Sequence, residues 1–257
     1  MHRSAPATPE KAHAPAPRIR LARVLACAAV PVMLVAAGCS SGSGGGSTKN
    51  SASASASGSG GKQASPSGSA APAPAKFAKL PDPCKAVTAA SVDKYVPNAK
   101  TKAGEVGKTS DPQTQASCTW NGLEDKGVKG SLYRWLDVDL KRYDSTPALG
   151  SGDSLAQKQF DRAVSAAKST ADAKNVKTAP VSGLGDQATA ITFELKKTDT
   201  NFRYAVVVVR TANAVVALDY NGTGYQGADA PPANDVQDGA TAAAKEAVAA
   251  VAAANNK

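Results

Sequence analysis

Histidine occurs only twice in this 257-residue chain, at His2 and His13, and not at all beyond them. A protein read without its first segment therefore has no imidazole. It cannot build a Ser-His-Asp triad, a Cys-His pair or a histidine metal site. Cysteine is almost as scarce, with four residues, and no two of them form a C-x-x-C. Aromatic residues make up only 5%. The longest apolar run, Val24 to Ala37, has 14 residues. That is short of the roughly 20 that a membrane-spanning helix needs and suits a signal-peptide core. Basic blocks are missing too, although the net charge is +9.

The surplus of positive charge is unevenly placed. Residues 1–38 hold Arg3, Lys11, Arg18, Arg20 and Arg23 against Glu10, a net of +4. Residues 39–76 hold Lys49, Lys62 and Lys76 and no acid, a net of +3, which leaves +2 for residues 77–257. There, 22 bases and 20 acids are interspersed, so nothing marks a nucleic-acid surface.

A basic lead, the apolar run and Val35-Ala36-Ala37-Gly38-Cys39 together resemble a bacterial lipoprotein signal. Ala36 stands where such boxes usually carry Leu, Val or Ile. An ordinary secretory signal cut at an Ala-x-Ala-like site is the competing reading. The lipoprotein resemblance implies that residues 1–38 are removed. Cys39 then becomes the first mature residue, with a diacylglycerol thioether and an N-acyl chain such as palmitate, and two or more chains hold a protein stably on a bilayer. The expected location is the outer, extracytoplasmic face of the cell membrane. Residues 40–76 are almost entirely Ser, Gly, Ala and Pro. They cannot bury a core, and a flexible coil of that length spans roughly 30–35 Å. Residues 77–257 are long enough for one sizeable core.

With Cys27 in the signal and Cys39 acylated, Cys84 and Cys118 remain, 34 positions apart. In an oxidising compartment they most simply form one disulfide, the alternative being a pair of thiols for redox or metal work. Asp82-Pro83 has helix-start chemistry, with a helical piece restarting at Thr88 and running to Val96. Strand-like segments follow at Thr101–Lys108, Ser117–Gly122 and Ser131–Tyr143. In the last, Leu132, Leu136, Val138 and Leu140 share a face that Arg134 interrupts. Capping-box spacing at Ser154 to Gln157 opens a central helix that reaches Ala173. Four more strands are expected at Val176–Val181, Gln187–Leu195, Phe202–Arg210 and Ala214–Tyr220, with Val206 to Val209 apolar on both faces and Asn213 in a left-handed turn. A last helix, from Ala233 or Asp235 to Ala253, presents Val236, Ala240, Ala244, Ala247, Val248 and Val251 on one side. Strands joined by short turns between helices predict an α+β fold, an antiparallel β-sheet with helices packed on it.

Asp82-Pro83-Cys84, Cys118-Thr119-Trp120 and Gly183-Leu184-Gly185-Asp186-Gln187-Ala188 ahead of a strand pair and an Ala-rich helix resemble, in order and spacing, a family of actinobacterial secreted lipoproteins built on a domain of unknown function. That resemblance implies a Cys84–Cys118 disulfide and a fold similar to the PsbP/Mog1-like α/β sandwich. It brings no catalytic residues and no cofactor. It also implies likeness to the extracellular sensor domains of some actinobacterial receptor kinases.

What remains for chemistry is carboxylates, lysines and hydroxyls. Asp137 and Asp139, two apart on a strand, share one face with Tyr133 and Trp135, opposite the apolar row. Aromatic stacking beside acids suits a sugar or a cationic ligand. The same pattern fits an ordinary solvent face covered by a helix, with Trp135 partly buried and the aspartates solvated. Gly183 to Asp186 reads as a turn, Asn221-Gly222-Thr223 as a loop, and Trp120 as packing against the disulfide. Asp229, Asp235 and Asp238 are too irregular for a calcium loop. The expected protein is thus a non-enzymatic binding module, partnered with the membrane through Cys39 and with a cell-wall component or envelope protein. The alternatives are a carboxylate-dependent hydrolase of envelope glycans and a structural or regulatory subunit of a membrane complex.

The anchor is tested in a host expressing a Cys39→Ala variant. The variant accumulates in the medium while the parent takes up labelled fatty acid; a variant that stays membrane-bound beside an unlabelled parent sinks the lipoprotein reading.

Overall fold

The computed structural model describes residues 71–256. The expected signal, the expected acylation site at Cys39 and most of the Ser/Gly/Ala/Pro segment lie outside the described residues. Two meanders make one seven-stranded, wholly antiparallel sheet. The first comprises β1 (Glu105–Val106), β2 (Gln115–Asp125) and β3 (Ser131–Arg142). A helix, α2 (Gly152–Lys168), then crosses to the far edge, and β4 (Lys174–Pro180), β5 (Gln187–Lys197), β6 (Thr200–Thr211) and β7 (Ala214–Tyr225) return inward. The spatial order is β1-β2-β3-β7-β6-β5-β4. The two meanders meet along β3 and β7, paired in register from Ser131↔Tyr225 to Arg142↔Ala214. The expected α+β class is the observed one.

Period-two alternation divides the sheet into two faces. One carries Cys118, Trp120, Leu136, Val138, Leu140, Val207, Val209, Val216 and Leu218, all buried. The helices α1 (Ala89–Tyr95) and α3 (Ala233–Asn255) cover that face. The buried stripe of α3 is Val236, Gly239, Ala240, Ala243, Ala244, Ala247 and Val251, and its small side chains let the helix axis approach the strands closely. Cys84 and Cys118 are disulfide-bonded, with Cα atoms 5.1 Å apart. Closing 34 residues of chain stabilises the fold by roughly 3–4 kcal/mol in the chain-entropy account. Trp120 packs there as expected, its Nε1 donating to the Lys102 carbonyl at 3.3 Å. The opposite face carries Ile191, Phe193, Phe202, Tyr204, Val208 and Val215, over which α2 lays Ala156 and Phe160. Covered on both sides, β6 needs the apolar run Val207, Val208, Val209, all fully buried.

Several boundaries differ from expectation, each for a local reason. Ser151, not Ser154, caps α2: its Oγ accepts the Ser154 N–H at 3.2 Å. That helix stops at Lys168 rather than Ala173. The hydroxyls of Ser169 and Thr170 bond back to the Ser165 and Ala167 carbonyls, and Asp172 then takes φ +61°. Only Glu105 and Val106 of the segment Thr101–Lys108 pair, because the Gly104 N–H closes a turn onto the Thr101 carbonyl at 3.0 Å. Asn221-Gly222-Thr223 lies inside β7, not in a loop. The Gly183–Asp186 turn does form, with φ +70° at Gly183 and +61° at Gly185, and the Asp186 carboxylate accepts the Ala212 N–H at 2.6 Å.

At the β6–β7 turn, Ala212 takes the left-handed φ of +46°, not Asn213. Asn213 is fully buried. Its Oδ1 accepts the Phe77 N–H at 2.8 Å, while its Nδ2 donates to the carbonyls of Phe77 and Tyr143 at 2.9 and 2.8 Å. One amide thus ties the incoming chain, whose Phe77 side chain enters the core, to the end of β3. Asn255 repeats the device on the other side, accepting from Ala78 and donating to Lys79. Asn213→Ala leaves the buried Phe77 N–H and carbonyl and the part-buried Tyr143 carbonyl without these partners and is expected to cost about 3 kcal/mol in urea unfolding. A loss under about 0.5 kcal/mol, the size of an ordinary surface substitution, contradicts the clamp.

Candidate functional site

The four residues expected to form a ligand face all lie on the sheet face that carries α2. That helix packs on β5, β6 and β7. The part of the face built from β2, β3 and the later half of β7 is left open: Tyr133, Trp135 and Asp137 are half-buried and Asp139 is exposed. The helix-covered alternative therefore does not hold for Asp137 and Asp139.

Register brings in neighbours that the sequence reading missed. Directly across from Asp137 stand Thr119 on β2 and Asp219 on β7. Trp135 has Asn121 and Asn221 on its two sides, and Tyr133 has Leu123 and Thr223. Cross-strand partners sit with Cβ atoms about 5 Å apart, so Asp137 and Asp219 are a like-charge pair held side by side. Hydrogen bonds fix both: Thr119 Oγ1 donates to Asp137 Oδ2 at 2.8 Å, and Asn221 Nδ2 donates to Asp219 Oδ1 at 2.9 Å.

Above this carboxylate–amide floor rises an aromatic wall. Tyr133 meets Phe202 edge-on at 6.1 Å and Tyr225 at 6.4 Å, and Phe193 stacks on Tyr204 at 4.9 Å. From the end of β5, Lys197 reaches over the rings of Tyr204 and Phe202, its Nζ 5.1 and 5.5 Å from their centroids. Tyr133, Trp135, Phe202, Tyr204, Tyr225 and Lys197 enclose a cleft of about 560 Å³ over Asp219 and Asn221; Asp137, across the strand pair from Asp219, and Asp139 do not line it. That volume is within the range of small-molecule sites.

Burial against the strands and aromatic rings raises the pKa of Asp137 to about 6. Desolvation is the main cause, and the charges of Asp139 and Asp219 add to it against the Thr119 hydrogen bond. Asp219 is raised as well, by desolvation first, with Asn221 and Lys197 opposing. Asp139 is raised by desolvation and relieved by Lys141. The Tyr133 hydroxyl is also pushed up by burial. A carboxyl group with the pKa of Asp137 is half protonated near pH 6 and mostly ionised at pH 7. Among the described residues, no group of three or more His, Cys, Asp or Glu is arranged to hold a metal ion. No helix among them is long and apolar enough to cross a membrane.

Asn221 and Tyr225 escaped notice because the strand was expected to end at Tyr220, while Asp219, inside the expected strand, meets Asp137 only through the pairing of β3 with β7. The signal was nonetheless present, since Asp219, Asn221, Thr223 and Tyr225 continue the alternation opposite Leu218 and Tyr220. Lys197, Phe202 and Tyr204 are placed by β5–β6–β7 pairing, which no single segment reveals.

Comparison of the chain with protein-family models, curated proteins and solved structures finds no match.

A carboxyl whose pKa is raised on folding opposes folding once it ionises. Below about pH 4 it is protonated in both states and has no effect. Its destabilisation grows as pH rises from there through about 6, and is constant above. Asp137→Asn, which keeps an acceptor for Thr119, is therefore expected to stabilise the protein by roughly 1–3 kcal/mol at pH 7.5 and by nothing near pH 3.5. A pH-independent difference between the two proteins contradicts the raised pKa.

Proposed function

We propose that this is a membrane-anchored, non-catalytic binding module of the cell envelope, and that its ligand is a neutral, polyhydroxylated chain such as an envelope glycan. The observation that carries this reading is the cleft itself, an aromatic wall over the Asp219 carboxylate and the Asn221 amide. Sugars offer apolar C–H faces that stack on rings and hydroxyls that bond to acids and amides. Asp219 and Asn221 offer hydroxyls their partners at the floor of the cleft, and Asp137 stands beside Asp219 on the paired strand. Lys197 already lies over Phe202 and Tyr204. A cationic ligand would meet its ammonium, which favours a neutral one. For the anchor and the location, the support is the sequence around Cys39.

A second reading, a carboxylate-dependent glycan hydrolase, is favoured by one observation: Asp137 titrates near 6 beside the more deeply set Asp219. Against it, the two acids stand side by side on one sheet floor. Glycoside hydrolysis places its carboxyls on either side of the scissile bond. Among the described residues the subunit reading has no comparable surface, since the large exposed apolar residues Val106, Leu123, Val128, Leu149 and Val176 are dispersed over several elements.

The reading is tested by titrating the full-length chain with chitotetraose and maltotetraose while following tryptophan fluorescence. The chain has two tryptophans. Trp120 is buried in the core and Trp135 borders the cleft, so a bound sugar changes Trp135 emission. Saturable binding that weakens about tenfold or more in Trp135→Ala supports the module. Absence of binding by either oligosaccharide up to about 1 mM contradicts the glycan assignment. Release of reducing ends that Asp137→Asn abolishes moves the assignment to the hydrolase.

A further inference from the structure

The charge that interrupts the apolar row of β3 belongs to a second cavity, on the opposite face of the sheet. Arg134 projects on the side of Leu136, Val138 and Leu140, where every later residue of that row is buried core. Its two cross-strand neighbours are both glycines, Gly122 on β2 and Gly222 on β7. A Cβ at Gly222 would stand 2.9 Å from Arg134 Cδ and 3.0 Å from its Nη1. The glycine therefore gives the guanidinium room to lie across β7, and any larger residue would push it out. One N–H of that guanidinium is used locally, donating to the Tyr133 carbonyl at 2.8 Å. Arg142, Arg203 and Arg210 each hold a carboxylate. Among the described residues, Arg134 holds none within ion-pairing distance.

Instead Arg134 faces a cavity of about 380 Å³ at the end of the sheet where α3 begins. Lys94 adds a second cation from α1, and Asp235 and Asp238 add two carboxylates from the first turns of α3. Tyr95 and Tyr220 form the wall, packed edge-to-face at 6.0 Å, with the Tyr220 hydroxyl donating to the Tyr95 carbonyl at 2.7 Å. The polar lining is thus electrically balanced, two cations and two anions, and among the described residues none of the four forms an ion pair with another. A ligand of a single sign would satisfy one pair and crowd the other. A small molecule with a carboxylate at one end and an ammonium at the other answers both. Its carboxylate suits the planar fork of a guanidinium, its ammonium suits the two aspartates, and its size suits the space.

We propose that this cavity binds a small zwitterion, a free amino acid or dipeptide, with Arg134 and Lys94 on its carboxylate and Asp235 and Asp238 on its ammonium. The site is independent of the aromatic cleft, which lies on the other side of the sheet, and stands or falls apart from the glycan reading.

The test is isothermal titration of the full-length chain with L-alanine, L-alanyl-L-alanine, N-acetyl-L-alanyl-L-alanine and L-alanyl-L-alanine amide. One of the two free zwitterions binds saturably, and each end-blocked dipeptide loses about tenfold or more relative to the free dipeptide. Arg134→Met loses binding, Arg134→Lys retains part of it, and Trp135→Ala leaves it unchanged. Should Arg134→Met fail to fold, the double change Asp235→Asn and Asp238→Asn, at two exposed helix positions, reads the ammonium side without disturbing the core, and it too is expected to weaken binding about tenfold. Equal binding of the acetylated and free dipeptides overturns the zwitterion assignment. So does undiminished binding in the aspartate variant, or no heat from either zwitterion up to about 10 mM.

Discussion

A seven-stranded sheet is about 30 Å wide, and a helix covers about 10 Å of it. On one face α3, α1 and the disulfide-tied N-terminal turn together meet that width, so the face is apolar nearly throughout. On the other there is one helix, α2, lying over β5 to β7. Whatever lies beyond its reach faces water. Polar residues at Thr119, Asn121, Asp137, Asp139, Asp219 and Asn221 follow from that mismatch, and so does the aromatic cluster at the margin where covered and uncovered sheet meet.

The open half-face is also where the fold stores unfavourable energy. Asp137 and Asp219 stand side by side on the paired strands β3 and β7, partly withdrawn from water. Like charges in that position destabilise a sheet, and surfaces that only need to be wet do not require them. Rigidity elsewhere sustains the arrangement. Twelve paired positions join β3 to β7. Asn213 locks the turn that starts β7, and the disulfide ties the chain near α1 to β2. A preorganised floor of this kind binds with little loss of conformational freedom, which is the physical reason to expect recognition from this surface.

Periodicity made much of this legible in advance. The alternation of Leu136, Val138 and Leu140 placed β3, and it set Trp135, Asp137 and Asp139 on the opposite face. The cysteine pairing and the Ala-rich face of α3 were equally readable, because each rests on residue types with few alternatives. Boundaries governed by single hydrogen bonds were not, as Ser151 in place of Ser154 shows. Polar residues inside β7 imitated a loop: Asn221-Gly222-Thr223 has turn composition but is held as strand by β3 and β6 on either side. For the same reason half of the cleft stayed hidden. Asp219 joins Asp137 only through inter-strand register, and Gly222 acquires its meaning only when Arg134 is found beside it.

The central claim is that the uncovered half of the sheet is a desolvated, preorganised recognition surface rather than ordinary wet exterior. Carbon-13 NMR titration of the aspartate carboxyls in the full-length chain, without and with chitotetraose, tests it most directly. The account predicts a midpoint for Asp137 of about 6, displaced when the oligosaccharide binds. A midpoint near 4, the value of a freely solvated aspartate, unchanged by the oligosaccharide, would contradict it.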